Sequence, residues 1–278
     1  MPSLFYALPR LPMGGLKPMW AAQGPAVNQS SEPIFNIPAV IVASLAVFAG
    51  IHALRSFVLS PDQDLELLLL AAFIPARYDS ALLLQGGLPG GFGAQVWTFV
   101  SYALIHADIT HLGMNSLWFV PFGSAVARRF GAGRFLLFFA ATAAAGAAVH
   151  LIAHAGEIFP VIGASAVVSG LMAAATRFAF QPQGPIALWQ QQDERAYRTP
   201  ALPLASALRD PRILVFLGVW FGLNLLFGLG SVSLAGTGHS VAWEAHIGGF
   251  LAGLVLFSLF DPVPREAGPQ VGGGNLPQ

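Results

Sequence analysis

The chain has 278 residues, 55% of them hydrophobic and only 9% charged, with no net formal charge and a mean hydropathy of +0.65. A soluble domain carries about a quarter of its residues as Asp, Glu, Lys and Arg, so most of this surface must face lipid. Zero net charge offers no footprint for nucleic acid, and the absence of cysteine excludes disulfides, thiol nucleophiles and Cys-ligated metals.

Residues 1–34 hold several prolines, two basic residues (Arg10 and Lys17) and no long apolar run. They resemble neither a secretory signal nor an Arg-rich transit peptide and are expected to form a mobile extension. A membrane-spanning helix needs about 20 predominantly apolar residues. Stretches at 36–58, 109–127, 133–154, 163–180, 212–229 and 241–260 meet that need. The first two are separated by a long loop, 60–108. Within it LELLLLAAFIPA (65–76) is short and closed by Pro75, which suits an interfacial or re-entrant helix, while GGLPGGFG (86–93) reads as turns without helix. The polar, Pro-rich stretch 181–211 links the fourth and fifth spans, and its DERAYR run (193–198) reads as a solvated loop. The Pro/Gly-rich segment after Asp261 is expected to be disordered. The pattern predicts an all-α, polytopic bundle of six transmembrane helices with a long first loop.

Basic residues orient the bundle. With the N-terminus inside, 11 of the 13 Lys and Arg residues fall on inner segments, and only Arg55 and Arg77 fall outside. Cytoplasmic loops are enriched in Lys and Arg, so both termini are assigned to the cytoplasm. The start of the fourth span then lies near the outer face, as do the starts of the second and sixth.

Polar side chains within lipid are costly and call for a reason. His111 and Asn115, in HADITHLGMNSLW (106–118), are i and i+4 and share a helical face. His246 lies in AHIGGFLAG (245–253), where Gly249 and Gly253 form a GxxxG pattern that lets helix backbones approach closely. The fourth span opens with VIGASAVVSG (161–170), whose Gly163, Ala164, Ser165, Ser169 and Gly170 make a second small-residue face. Two such faces at one depth predict that the fourth and sixth spans pack together. Taken singly, each residue is better read as bundle packing or an interhelical hydrogen bond than as chemistry. Together they supply a hydroxyl, an imidazole base and two side-chain donors, the parts of a serine acyl-transfer site. The first-turn N–H of Ser165 adds a further donor.

These residues resemble the rhomboid family of intramembrane serine proteases. The resemblance rests on GASAVVSG (163–170) as the Gly-x-Ser segment, HADITHLGMN (106–115) as the histidine and His-x-x-x-Asn elements, and AHIGGFLAG (245–253) as Ala-His-x-x-Gly-x-x-x-Gly. It covers roughly 60–260. It implies Ser165 as nucleophile, His246 as general base, His111 and Asn115 on the oxyanion side, and a structural His106. It also implies a membrane location, transmembrane proteins as substrates in the lipid bilayer, and a protease domain over 35–261 between the extension 1–34 and the tail 262–278. No cofactor or metal is called for, and the oligomeric state is left open. Many members carry Trp-Arg in the first loop; here the position is Trp97-Thr98.

Glu244 lies ~200° round the helix from His246, so a dyad is favoured over a Ser-His-Glu triad, with Glu244 solvated or paired with a neighbouring helix. His150 and His154 have the i, i+4 spacing of a metal pair, but no third ligand is evident in the sequence around them. Ser169 resembles a helix-packing serine, and the Gly/Ser-rich stretch 228–240 is placed to cover the site. The alternative is a non-catalytic rhomboid-like protein that binds membrane clients; such proteins typically lack the serine or histidine that are both present here. A transporter using the histidines as a relay would need polar residues continuing to the inner face, where these spans are apolar.

Overall fold

The computed structural model describes residues 36–186, 194–228 and 242–264. Its first-loop region is built on short helices. Helix α1 (Ala39–Phe57) is followed by α2 (Pro61–Ala71), α3 (Ser80–Leu84) and α4 (Gly91–Ser101). Ser60 starts α2 with a capping box, exchanging hydrogen bonds with Gln63, and Pro61 occupies the first helical position. The expected short apolar helix at 65–76 is therefore present, shifted towards the N-terminus, because the cap lies at Ser60 and not at the first leucine.

The stretch 86–93 is only partly turn. Gly86, Gly87, Gly90 and Gly91 take positive φ, yet α4 already begins at Gly91. The Trp97 ring lies over Gly93, where a Cβ would overlap it. Its indole N–H donates to Leu70 O at 2.8 Å. Docking of α4 onto α2 thus outweighs the poor helix propensity of glycine.

The remaining helices are α5 (Ile109–Phe130), α6 (Ala132–Ala153), α7 (Ser165–Thr176), α8 (Leu204–Ala207), α9 (Pro211–Gly228) and α10 (Trp243–Phe260). Asp108 caps α5 by accepting from His111 N–H at 2.8 Å. Among the described residues, strand-like pairing is limited to one isolated bridge, between Phe73 and Val161. Helices α1, α6 and α10 are long and apolar enough to cross a membrane. Helix α5 matches α6 in length at 22 residues but carries more polar groups, and α7 and α9 contribute shorter apolar segments. The result is an all-α membrane bundle.

Helix α7 is its axis. Every residue from Ala166 to Thr176 is buried, while α1 turns most of its surface outward and buries only Ile41 and Phe48. With 12 residues, α7 rises ~18 Å, well short of the ~30 Å hydrocarbon thickness. The chain reaches it through irregular backbone that pairs with Phe73 at Val161 and bends at Gly163, whose N–H donates to Tyr102 O at 3.0 Å. The expected span 163–180 is thus shorter at both ends. At the C-terminal end of α7 Arg177 is buried, and its guanidinium donates to Leu202 O at 2.9 Å.

The same end of the bundle is stapled by Arg129, which pairs with Asp261 at 2.9 Å and donates to Tyr197 O and Thr199 O, each at 2.8 Å. Neighbouring Arg128 pairs with Glu194. The described part of the DERAYR run is consequently docked, with Ala196 buried and Tyr197 half-buried. Only its charged side chains stay at the surface, as a solvated loop would present them.

Candidate active site

Three helices rich in small residues set the register. A Cβ on Gly249 would overlap the Ala166 carbonyl, and one on Gly253 would overlap the backbone of Gly170. Both contacts have the same residue offset, so α7 and α10 run parallel with their backbones touching. Gly146 of α6 closes the group, since a Cβ there would lie 2.6 Å from Ala166 Cβ and 2.9 Å from Ala245 O. The expected packing of the fourth and sixth spans is present. Side chains on a helix lean towards its N-terminus, which carries His246 to the level of the first turn of α7.

There His246 Nε2 and Ser165 Oγ are 2.7 Å apart, although 81 residues separate them in the chain. On the other side of the ring, His246 Nδ1 meets the side-chain oxygen of Asn224 on α9. The Asn224 amide nitrogen donates to Trp220 O at 2.8 Å. Its oxygen is thus left to accept, which puts the imidazole proton on Nδ1 and leaves the Nε2 lone pair facing the Ser165 hydroxyl. Asn224 is not among the residues that the sequence motifs single out. The signal was available: it is an amide in the otherwise apolar run FGLNLLF (221–227), and such a group within lipid calls for a partner.

Gly163 sits two residues before Ser165 at φ +115°, a conformation that favours glycine. A Cβ there would lie 2.6 Å from the His111 ring and 3.8 Å from Asn115 Nδ2. His111 and Asn115 therefore border the space above Gly163, as their shared helix face predicts. Asn115 is buried and donates one amide hydrogen to His111 O at 2.9 Å, leaving the second available. His111 Nδ1 accepts from Ala107 N–H at 3.4 Å, which leaves Nε2 as the donor. Ala164 provides no capping side chain at the start of α7, so the first-turn amides there remain donors without intrahelical partners. A hydroxyl, a base holding the correct tautomer, and donors converging on one edge can carry out acyl transfer.

The rhomboid domain model matches residues 93–261, more than half of the chain. The chain belongs to the rhomboid family. No individually curated protein gives a match.

The other positions of this rhomboid fall into place around that core. Ser169 Oγ donates to Ser165 O at 2.8 Å, a back-bond within α7. His106 is fully buried against Phe48 and His111, and its carbonyl accepts from Arg55 at 2.8 Å. At the Trp97-Thr98 position, where many relatives carry Trp-Arg, Thr98 is buried and bonds Ala94 O at 2.6 Å. Glu244 points away from His246 and reaches α6, where its carboxylate lies 3.2 Å from His154 Nε2 and 3.9 Å from His150 Nδ1. The third group beside the histidine pair, which the sequence around them did not reveal, is thus supplied from another helix. An apolar cleft of about 210 Å³ opens between α9 and α10, lined by Phe221, Gly222, Asn224, Trp243 and Ile247. The expected cover, 228–240, lies outside the described residues after Gly228, as do the whole N-terminal extension 1–34 and residues 265–278 of the tail.

Proposed function

We propose that this rhomboid is an intramembrane serine endopeptidase that cleaves transmembrane-segment substrates by a Ser165–His246 dyad near the outer face of the cell membrane. The observation that carries the reading is the 2.7 Å contact between Ser165 Oγ and His246 Nε2. His246 takes the hydroxyl proton as Ser165 Oγ bonds to the scissile carbonyl carbon. The resulting oxyanion is held by His111, Asn115 and the N–H of Ser165. Collapse breaks the peptide bond, and His246 returns the proton to the departing amine, leaving an ester on Ser165. Water, deprotonated by the same imidazole, hydrolyses that ester and restores the serine.

Asn224 acts as a positioning residue. It holds the tautomer that makes Nε2 a base, as the carboxylate does in a soluble triad. Both termini are cytoplasmic, and the catalytic domain runs over 35–261. The short α7 sets Ser165 below the outer surface, within reach of water from that side. Substrate enters laterally, and the apolar α9–α10 cleft beside Asn224 supports that route.

The test uses protein reconstituted in liposomes with a model transmembrane substrate, comparing wild type with Ser165→Ala and His246→Ala. Both substitutions are expected to abolish cleavage, and fluorophosphonate labelling should disappear in Ser165→Ala. Undiminished cleavage by either variant would sink the assignment. Absence of cleavage and labelling in the wild type, with client binding retained, would favour a non-catalytic escort.

A further inference from the structure

A second cluster of chemically able side chains lies at the same end of the bundle, and the proposed proteolysis does not use it. Helix α6 ends there with His150 in its last turn and His154 as its C-cap, four residues on, their rings stacked at 4.3 Å. Helix α10 begins there with Trp243 and Glu244. The Glu244 carboxylate faces both imidazoles, and one ligand atom from each of the three residues falls within 4.8 Å of the others. Glu157 closes the outer side, its carboxylate 3.1 Å from His154 Nδ1.

Two observations distinguish this cluster from an ordinary ion pair. His150 is 7% exposed, yet its Nδ1 has no hydrogen-bond partner. A buried imidazole nitrogen without a partner is a costly feature for a hydrogen-bonded clasp alone, but it is what a metal ligand presents before the ion arrives. The spacing also fits. Zinc bound at 2.0–2.1 Å in a tetrahedron separates its ligand atoms by ~3.3 Å. One Glu244 oxygen lies 3.2 Å from His154 Nε2 and the other 3.9 Å from His150 Nδ1, and the three ligand atoms all fall within 4.8 Å of one another, so the side chains must draw together around an ion to close the set. Two imidazoles and one carboxylate suit zinc or a similar divalent transition ion, with a fourth position left for water.

We propose that His150, His154 and Glu244 form a binding site for a divalent transition metal of the zinc class, clamping the start of α10 to the end of α6. Glu157 hydrogen-bonds the remaining nitrogen of His154, the outer-shell role that fixes an imidazole's tautomer and orientation. The ion links α6 to the first turn of α10, two residues before His246. The site rests on its own side chains and stands whether or not the chain cleaves peptides.

The experiment uses the untagged full chain in detergent, stripped with chelator and titrated with Zn²⁺ by calorimetry. Co²⁺ absorption serves as the geometry readout. One equivalent should bind, Co²⁺ should show the intense visible bands of a tetrahedral site, and zinc should raise the thermal midpoint by mass action. His154→Ala and Glu244→Gln should each weaken binding by more than about tenfold. Because His154 is partly exposed, its variant should keep the metal-free unfolding midpoint of the wild type. His246→Ala should bind zinc like the wild type. No stoichiometric binding would overturn the proposal and leave an ion pair only. So would binding unchanged by both ligand substitutions, or binding lost with His246→Ala and kept with His154→Ala.

Discussion

Asn224 and Ser165 hold opposite nitrogens of the same imidazole: the Asn224 oxygen meets Nδ1 of His246, and the Ser165 hydroxyl lies 2.7 Å from Nε2. Helix α9 thus contributes to the site through a side chain that never reaches the reacting atoms. Losing the acceptor frees the ring to take the other tautomer, in which Nε2 carries the proton and cannot act as base. Asn224→Ala should lower kcat by ~10²–10³-fold, with KM little changed, against the ~10⁴-fold seen where a soluble triad adopts the wrong tautomer. Asn224→Asp, which keeps an acceptor, should recover part of the loss. Proteoliposome kinetics with a quenched-fluorescence transmembrane substrate would decide it, and equal kcat in Asn224→Ala and wild type would remove the positioning role.

The space above Gly163 gives a second expectation. His111 and Asn115 border it from α5, and donors placed for a developing oxyanion are worth ~10²–10³ in rate each. His111→Ala and Asn115→Ala should therefore retain fluorophosphonate labelling at Ser165 while turnover falls by that order. An Asn115→Ala variant with full turnover would withdraw that residue from the oxyanion side.

Packing makes a contrast within one protein. A side chain on Gly249 collides with the Ala166 carbonyl, whereas Gly222 on α9 has open space where its Cβ would be. Gly249→Val should lower stability by at least ~1–3 kcal/mol and abolish activity with it, because the α7–α10 register positions His246. Gly222→Ala should be neutral in stability. Thermal unfolding in detergent, followed by circular dichroism, would compare the two.

At the opposite end, Arg129 and Asp261 are a buried pair, their side chains 0% and 7% exposed. Removing one partner strands the other charge, at a cost of about 3–5 kcal/mol. Arg129→Met and Asp261→Asn should each lower the unfolding midpoint, and the double variant should be less damaged than the two losses summed. Strict additivity in that double-mutant cycle would mean the two side chains do not interact.

The membrane character, the long apolar helices and four residues of the candidate site are legible in the amino-acid order alone. Hydropathy and length disclose spans because lipid forces each crossing segment to satisfy its own backbone. Ser165, His246, His111 and Asn115 stood out because polar groups are conspicuous in such segments. The small-residue faces of α7 and α10 even disclosed which helices touch. Relations between side chains on different helices arise only from packing. Asn224 is one amide in an apolar run until α9 packs beside α10 and turns it to His246. Glu244 is one carboxylate at a helix start until α6 brings two imidazoles to it. Gly91–Gly93 look like turn until Trp97 docks on α2. Period and composition describe one segment at a time, whereas register, facing and tautomer arise only when several helices share a core.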